Sequence, residues 1–153
     1  MGVVDVQPIG TVRNAVRETG DRHWGDVESR IELSQAFAPD ALEGIDRFSH
    51  VEVVFLFHKV APEDVATGTR HPRGDPRYPL VGIFAQRNKA RPNRIGLTIC
   101  TVERRDGRTL VVKGLDALDG TPVLDLKPVM EEFLPQGPIR QPAWSRQVME
   151  GYW

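Results

Sequence analysis

The stretch RIGLTICTVERRDGRTLVVKGL, residues 94–115, carries the clearest fold signal in the chain. Its first half alternates between two faces with the two-residue period of a β-strand, and its second half is a short apolar run typical of another strand. Asp106-Gly107 separates the two, and this dipeptide is a strong hairpin signal because glycine tolerates positive φ. The stretch therefore predicts two antiparallel strands joined by a tight turn. One face of the first strand holds Ile95, Leu97, Ile99 and Thr101.

The remainder of the chain is also dominated by strand patterns. Residues 50–60 form a nearly continuous apolar run, which predicts a strand buried on both faces. A short helix is expected only at 39–45, where Pro39 suits a helix start. Successive strands without long helices between them favour an all-β fold, a single antiparallel barrel of roughly seven strands. The predicted strands are 3–12, 26–33, 50–60, 79–87, 94–105, 108–115 and 121–129.

The barrel is expected to occupy residues 1–130 as one domain. Residues 131–153 read as an irregular, proline-rich tail with terminal aromatic residues, which we expect to pack on the barrel or on a partner subunit. Residues 61–78 form a polar loop rich in proline and glycine, and loops of this length are usually functional or mobile.

Composition excludes several classes of protein. The 153 residues carry a net charge of −1, so any affinity for nucleic acid has to come from a local cationic patch. The single cysteine, Cys100, excludes an internal disulfide framework and fits a reducing cytoplasm; its place in mid-strand favours burial as a small hydrophobe over use as a nucleophile. No apolar run reaches the length of a membrane span, and the first ten residues resemble no export signal. We therefore expect a cytoplasmic globular domain.

The loop before residue 94 concentrates positive charge. Pro92 stiffens it and holds Arg91 extended, while Asn93 tolerates a left-handed turn. Cations on a stiff loop lose little entropy when they bind an anion, and arginine can bind one through two parallel hydrogen bonds. The competing interpretation is a solvated turn that happens to be basic. The loop's cations are Arg87, Lys89, Arg91 and Arg94.

A second cluster lies in KGLDALDGTPVLDLKP, residues 113–128. Asp116, Asp119 and Asp125 surround a turn there, and the segment from Lys113 to Asp116 could line a polar pocket. The alternative is ordinary turn chemistry. Their spacing does not match a calcium loop and no histidines or cysteines gather nearby, so no metal site is expected. His58 ends the predicted strand 50–60, where a histidine is more often a satisfied rim residue than a base.

Taken together, these motifs resemble the TrmO (YaeB, TsaA-like) family. The similarity lies in PIGTVRN, LEGIDRFSHVEVVFLFHK, GIFAQRNKARPNRIGLT and KGLDALDGTPVLDLKP, and it covers most of the chain outside the 61–78 loop and the tail. Members of the family are S-adenosylmethionine-dependent methyltransferases that act on N6 of threonylcarbamoyladenosine at position 37 of tRNA. The resemblance implies a seven-stranded barrel, a homodimer, S-adenosyl-L-methionine as methyl donor and tRNA as substrate.

The resemblance also implies site residues. The donor-binding positions would be His58, Lys59, Arg87, Leu97, Lys113, Gly114, Leu115 and Asp116. The substrate would meet Lys89, Arg91, Asn93 and Arg94, although Arg91 and Asn93 could equally be structural. The acceptor nitrogen must lose a proton, and the candidate bases are Asp116, Asp119 and His58.

The sequence departs from the family pattern at two positions. Arg94 stands where the family usually has proline, and Thr98 stands where serine is common. Two other readings therefore stay open beside the tRNA methyltransferase: a methyltransferase with a different acceptor, and a non-catalytic barrel that binds S-adenosylmethionine or RNA. A structural oligomer without a pocket is a third.

Overall fold

The computed structural model describes residues 2–20 and 23–153. Its centre is a closed barrel of antiparallel strands, which confirms the all-β barrel fold. The barrel strands are β1 (Gly10–Arg13), β2 (Glu28–Leu33), β3 (His50–Leu56), β6 (Ile95–Asp106), β7 (Thr109–Lys113) and β8 (Pro122–Pro128), in the order β1-β2-β7-β6-β3-β8. Two short strands outside the barrel, β4 (Thr69–Arg70) and β5 (Val81–Gly82), pair with each other.

Three predicted strands differ from the structure. The first, predicted at 3–12, is a strand only at Gly10–Arg13, and residues 3–9 lie outside it. Residues 79–87 do not join the barrel: only Val81–Gly82 is extended, and a 3-10 helix follows directly at Ile83–Ala85. The barrel consequently has six strands rather than about seven. The run at 50–60 is buried on one face only, because a barrel strand has an inner face in the core and an outer face toward solvent.

Helical structure is sparse in the described residues. The predicted helix at 39–45 is replaced by two 3-10 helices, separated by Gly44 at φ 83°. Residues 2–20 and 23–153 contain one α-helix, Ala143–Val148 in the tail, which the sequence analysis did not anticipate. None of these helices is long and apolar enough to cross a membrane. Besides Ile83–Ala85, the 3-10 helices are Trp24–Asp26, Pro39–Leu42, Ile45–Arg47, Pro62–Asp64, Pro72–Gly74, Pro92–Arg94 and Glu131–Phe133.

Packing against the core determines which face of β6 points inward. Gly96 packs against the ring of Phe55, and a Cβ at Gly96 would lie 2.5 Å from that ring. Only glycine fits there, so small residues occupy the inner face of β6 near its start. Ile95, Leu97 and Ile99 share one face of β6, as predicted, and this face is the outer one, where they are between 43% and 46% exposed.

The unequal lengths of β6 and β7 leave a gap in the barrel wall. β3 pairs with β6 along residues 95–101, whereas β7 pairs with it only from Thr101 to Asp106. Residues 95–100 of β6 therefore have a strand on one side only. We call this gap, bordered by residues 95–100 of β6 and residues 113–116 after β7, the open seam. It lies at the end of the barrel where β3 and β7 finish and β6 and β8 begin.

Candidate functional site

Asp116 bridges the open seam. Gly114, at φ 82°, turns the chain after β7, and the fully buried Leu115 anchors the segment in the core. The Asp116 carboxylate accepts a hydrogen bond from Thr98 Oγ1 at 2.5 Å and a second, on its other oxygen, from the Tyr152 hydroxyl. Both partners are side-chain hydroxyls, and Asp116 is half-buried.

Arg87 closes the other side of the seam. Its Nη2 donates to the main-chain carbonyl of Leu97 at 2.6 Å. Because that carbonyl points away from β3, strand alternation places the main-chain groups of Leu97 and Ile99 along the unpaired edge of β6. The seam thus combines backbone donors and acceptors with a guanidinium and a carboxylate, and it can recognise a polar ligand.

The end of the chain covers this region. The main-chain carbonyl of Tyr152 accepts a bond from the Trp24 amide at 2.8 Å, and the Tyr152 and Trp153 rings meet edge to face with centroids 4.9 Å apart. Burial raises the pKa of Tyr152, and the neighbouring Asp116 charge raises it further, against the opposing influence of Arg73 and Arg87. The Tyr152 hydroxyl therefore keeps its proton and acts as a donor to Asp116.

His58 lies at the rim of the same end of the barrel. Its Nδ1 is 3.4 Å from Thr121 Oγ1. Burial and the charge of Lys59 lower the pKa of His58, so its imidazole is neutral at pH 7 and can accept a proton. The Lys59 ammonium donates to the Arg17 carbonyl at 2.5 Å.

Asp119 has a different environment from Asp116. Its Oδ1 accepts the main-chain amide of Asn14 at 3.1 Å. The Asn14 side chain in turn donates to Ser29 Oγ and to the Ala117 carbonyl, and accepts the Val16 amide. These bonds tie the 114–121 turn to the segment after β1. Asp119 is therefore part of the turn's framework.

The cationic loop is held in shape largely by its own arginines. Arg91 is extended before Pro92, as predicted, and its Nη1 donates to the Gln86 carbonyl at 2.7 Å. Asn93 has φ 63°, the left-handed conformation expected of it, and Arg94 follows at φ 51°. Arg94 Nη1 donates to the Val60 carbonyl at 2.7 Å. Lys89, by contrast, is exposed.

Two further predictions concern Cys100 and metals. Cys100 is 1% exposed, which confirms that it is a buried apolar residue, and burial together with the Asp116 charge raises its pKa to about 12. Such a thiol is not a nucleophile at neutral pH. Within residues 2–20 and 23–153, no group of three or more histidine, cysteine or acidic side chains could hold a metal ion.

The sequence analysis named several residues that the fold brings to one end of the barrel, and it missed three that hold them there. Thr98 was noted only as a departure from the family pattern, yet a hydroxyl at an inward position among apolar neighbours is a usable signal. Asn14 carries no comparable signal. Tyr152 could not be found from pattern, because its contact with Asp116 spans 36 residues of sequence. Lys113 is exposed at the end of β7, opposite Glu28.

Comparison with known proteins identifies the family. Residues 19–133 match the model of the tRNA-methyltransferase O N-terminal domain. The chain is 38% identical over 111 residues to the probable S-adenosyl-L-methionine-binding protein VirR of Rhizobium radiobacter, and 38% identical over 93 residues to the mouse tRNA (adenine(37)-N6)-methyltransferase. These alignments cover 72% and 61% of this chain.

The fold agrees with a solved relative. The crystal structure of TrmO from Pseudomonas aeruginosa superposes with a TM-score of 0.76 at 29% identity and covers 94% of this chain. The chain spans 60% of VirR, 21% of the mouse enzyme and 62% of the crystallised TrmO chain, so it corresponds to one part of these longer proteins. The family model matches most of the chain, and this protein therefore belongs to the tRNA-methyltransferase O N-terminal domain family.

Proposed function

We propose that this protein is an S-adenosylmethionine-dependent methyltransferase that methylates N6 of threonylcarbamoyladenosine at position 37 of tRNA. The observation that carries the proposal is the open seam, where Asp116, Arg87 and the unpaired edge of β6 meet in a chain of this family. The mouse relative's name supports the acceptor, and the name of VirR supports the donor.

The chemistry of the seam fits the methyl donor. S-adenosylmethionine carries an adenine, a carboxylate, an ammonium and a sulfonium, and when bound it supplies an electrophilic methyl group. The Arg87 guanidinium suits the carboxylate, Asp116 suits the positive groups, and main-chain groups along β6 suit the adenine edge. The Leu115 side chain is fully buried, so this residue would contribute through its backbone. The proposed donor set is His58, Lys59, Arg87, Leu97, Lys113, Gly114, Leu115 and Asp116.

The chain's own residues have two tasks in the reaction. The first is to align the acceptor nitrogen, which supplies much of the rate enhancement in transfers of this kind. The second is to receive a proton, and we assign it to the Asp116 carboxylate because it borders the open seam and its partners are side-chain hydroxyls rather than backbone amides. The neutral imidazole of His58 is the second choice, because its lowered pKa leaves it able to accept a proton at pH 7. Asp119 is engaged by the Asn14 amide.

The cationic loop is proposed to contact the RNA. Lys89 is exposed and can pair with phosphate directly. Arg91 and Arg94 use Nη1 to bind main-chain carbonyls, but a guanidinium has five N–H donors, so each can hold the loop and still offer hydrogen bonds to a substrate. Asn93 would contribute through the shape of the turn.

The outer face of β6 supports a homodimer. Ile95, Leu97 and Ile99 form an exposed apolar stripe, and Phe84 nearby in the chain is 77% exposed. Contiguous apolar surface of this kind commonly marks an interface. We propose that two copies associate in the cytoplasm, with residues 1–130 as the catalytic barrel and residues 131–153 as the tail that covers the seam.

The first test is calorimetric titration with S-adenosylmethionine. We expect micromolar binding near one site per chain, and Arg87→Ala should weaken it about tenfold or more, because a charge-assisted contact contributes roughly 1.5–3 kcal/mol. Arg104→Ala, at the hairpin end of the barrel, is the matched control. Folded protein that releases no heat at several temperatures would contradict the donor site.

A second assay separates the enzyme from the binding module. An enzyme releases S-adenosylhomocysteine when given tRNA that carries threonylcarbamoyladenosine. Donor binding without turnover on any modified tRNA would favour the non-catalytic alternative, for which the name of VirR is the supporting observation. Turnover on another RNA only would favour a different acceptor.

A further inference from the structure

A cleft beside the open seam remains unassigned by the proposed function. It has a volume of about 410 Å³ and lies between the 61–78 loop and the start of the cationic loop. Its lining consists of Lys59, Val60, Asp64, Arg70, Arg73, Gly74, Asn88, Lys89 and Ala90. Only Lys59 and Lys89 belong to the sites described above.

The cleft is strongly cationic. Four of its lining residues are lysines or arginines and one is an aspartate, although the whole chain has a net charge of −1. Lys59, Arg73 and Lys89 are exposed and Arg70 is half-buried, so none of the four cations is buried in the core. A local cation cluster on a nearly neutral protein attracts anions to one place.

The walls of the cleft are held in position by local hydrogen bonds. Gln86 Nε2 donates to the carbonyls of Arg70 and Val81, each at 3.1 Å, which fixes β4 against β5. The Gly74 amide donates to the His71 carbonyl at 2.9 Å, closing the turn that carries Arg73 at φ 55°. The backbone that presents the cations is therefore ordered before any ligand arrives, which lowers the entropic cost of binding.

The lining also limits what the ligand can be. Among the described residues, the lining contains no aromatic side chain on which a base could stack, and its apolar members are small. A chain of phosphates needs neither, because phosphate contacts position a nucleic acid without reading its bases. The chemistry of this cleft thus matches a phosphodiester backbone better than a nucleobase or an apolar ligand.

Position links the cleft to the seam. Lys59 follows His58 directly in sequence, and the carbonyl of Val60 in the cleft lining accepts a hydrogen bond from Arg94 Nη1, one residue before β6 begins at the seam. A nucleotide held at Asp116 would therefore have neighbouring phosphates within reach of this cleft. We infer that the cleft lined by Lys59, Arg70, Arg73 and Lys89 binds the phosphates of the acceptor RNA that flank the modified nucleotide. This inference rests on the proposed function for the identity of the RNA.

The test is the salt dependence of RNA binding by Arg70→Gln. The probe is an anticodon stem-loop RNA carrying threonylcarbamoyladenosine, titrated over a range of salt concentrations. Each phosphate contact that is lost should reduce the slope of log K against log salt by about 0.7–0.9. We expect that reduction for Arg70→Gln, together with weaker RNA binding and unchanged affinity for S-adenosylmethionine.

Two control variants make the result specific. Arg70→Lys keeps the positive charge and should keep the slope of the unmodified protein. Lys127→Gln removes an exposed charge at the opposite end of the barrel and should also leave the slope unchanged. If Arg70→Gln and Lys127→Gln give the same slope as the unmodified protein while RNA still binds, the inference is overturned and the proposed function stands. If the slope changes as expected but no methyl transfer occurs, the cleft is supported and the proposed function fails.

Discussion

Asp116 and Asp119 lie in the same turn, yet their hydrogen-bond partners differ in kind. The oxygens of Asp116 accept hydrogen bonds from two side-chain hydroxyls, those of Thr98 and Tyr152. Asp119 accepts a main-chain amide from Asn14, which fastens the turn to the start of the chain. A carboxylate bound by hydroxyls can exchange a partner for a ligand without moving the backbone, whereas one bound by a backbone amide cannot. These different partners are the reason why we propose Asp116, rather than Asp119, for the chemistry.

The largest expected effect separates the two acids by activity. Asp116→Asn should lower kcat/KM for methyl transfer by about 10²–10³, within the usual range for loss of a general base. Asp119→Asn keeps an oxygen for the Asn14 amide and should lower kcat/KM less than about threefold. Single-turnover methyl transfer to modified tRNA measures both. If both variants are folded and lose kcat/KM equally, the proposed difference between Asp116 and Asp119 is wrong.

The next largest effect concerns the stability of the fold, which we expect to depend on the hydrogen bonds of Asn14, the partner of Asp119. Asn14→Ala removes the bonds to Ser29 and Ala117 and leaves the Val16 amide without its acceptor. Ser29 is fully buried, so the free energy of unfolding should fall by roughly 2–3 kcal/mol. Urea unfolding measures the change. Asn14→Asp loses the two donated bonds but retains an acceptor oxygen for the Val16 amide, so it should cost less; a loss as large as that of Asn14→Ala would count against a contribution from the Val16 bond.

The smallest expected effect comes from removing the Tyr152 hydroxyl, one of the two hydrogen-bond partners of Asp116. Tyr152→Phe removes one hydroxyl partner while keeping the ring that packs on Trp153. We expect a fall of about 1 kcal/mol in the free energy of unfolding. The affinity for S-adenosylmethionine, measured by calorimetry, should fall by about threefold or more, because Asp116 loses one of the two hydrogen bonds that orient it. Thr98→Ser keeps the second hydroxyl and should preserve affinity; a large loss in this variant would contradict a simple hydroxyl requirement.

Much of this architecture was predictable from sequence, for local reasons. The hairpin at Asp106-Gly107 forms as predicted, with Gly107 at φ 59° and β6 paired with β7. Asn93 takes the left-handed turn for the same kind of reason. Short-range backbone preferences decide both features, so the residues themselves carry the information.

What failed to follow from sequence depends on partners distant in the chain. The apolar alternation at 95–99 is real, but Gly96 must face inward because the Phe55 ring leaves no room for a Cβ. The run at 79–87 is apolar enough for a strand, yet only Val81–Gly82 is extended, and it pairs with Thr69–Arg70 outside the barrel. Likewise, Asp116 and Asp119 have the same surroundings in sequence, and only Thr98, Tyr152 and Asn14 distinguish them.

The two consecutive left-handed residues at the start of β6 bear on how this family can diverge. Arg94 sits at φ 51° and donates to the Val60 carbonyl, whereas proline, the usual residue of the family at this position, is confined to φ near −65° and has no such donor. Exchanging Arg94 for proline would thus require the turn itself to change shape. We therefore expect Arg94 and its neighbours in this turn to be epistatic: exchanging Arg94 alone for proline should be more costly than making the same exchange together with changes in the surrounding turn.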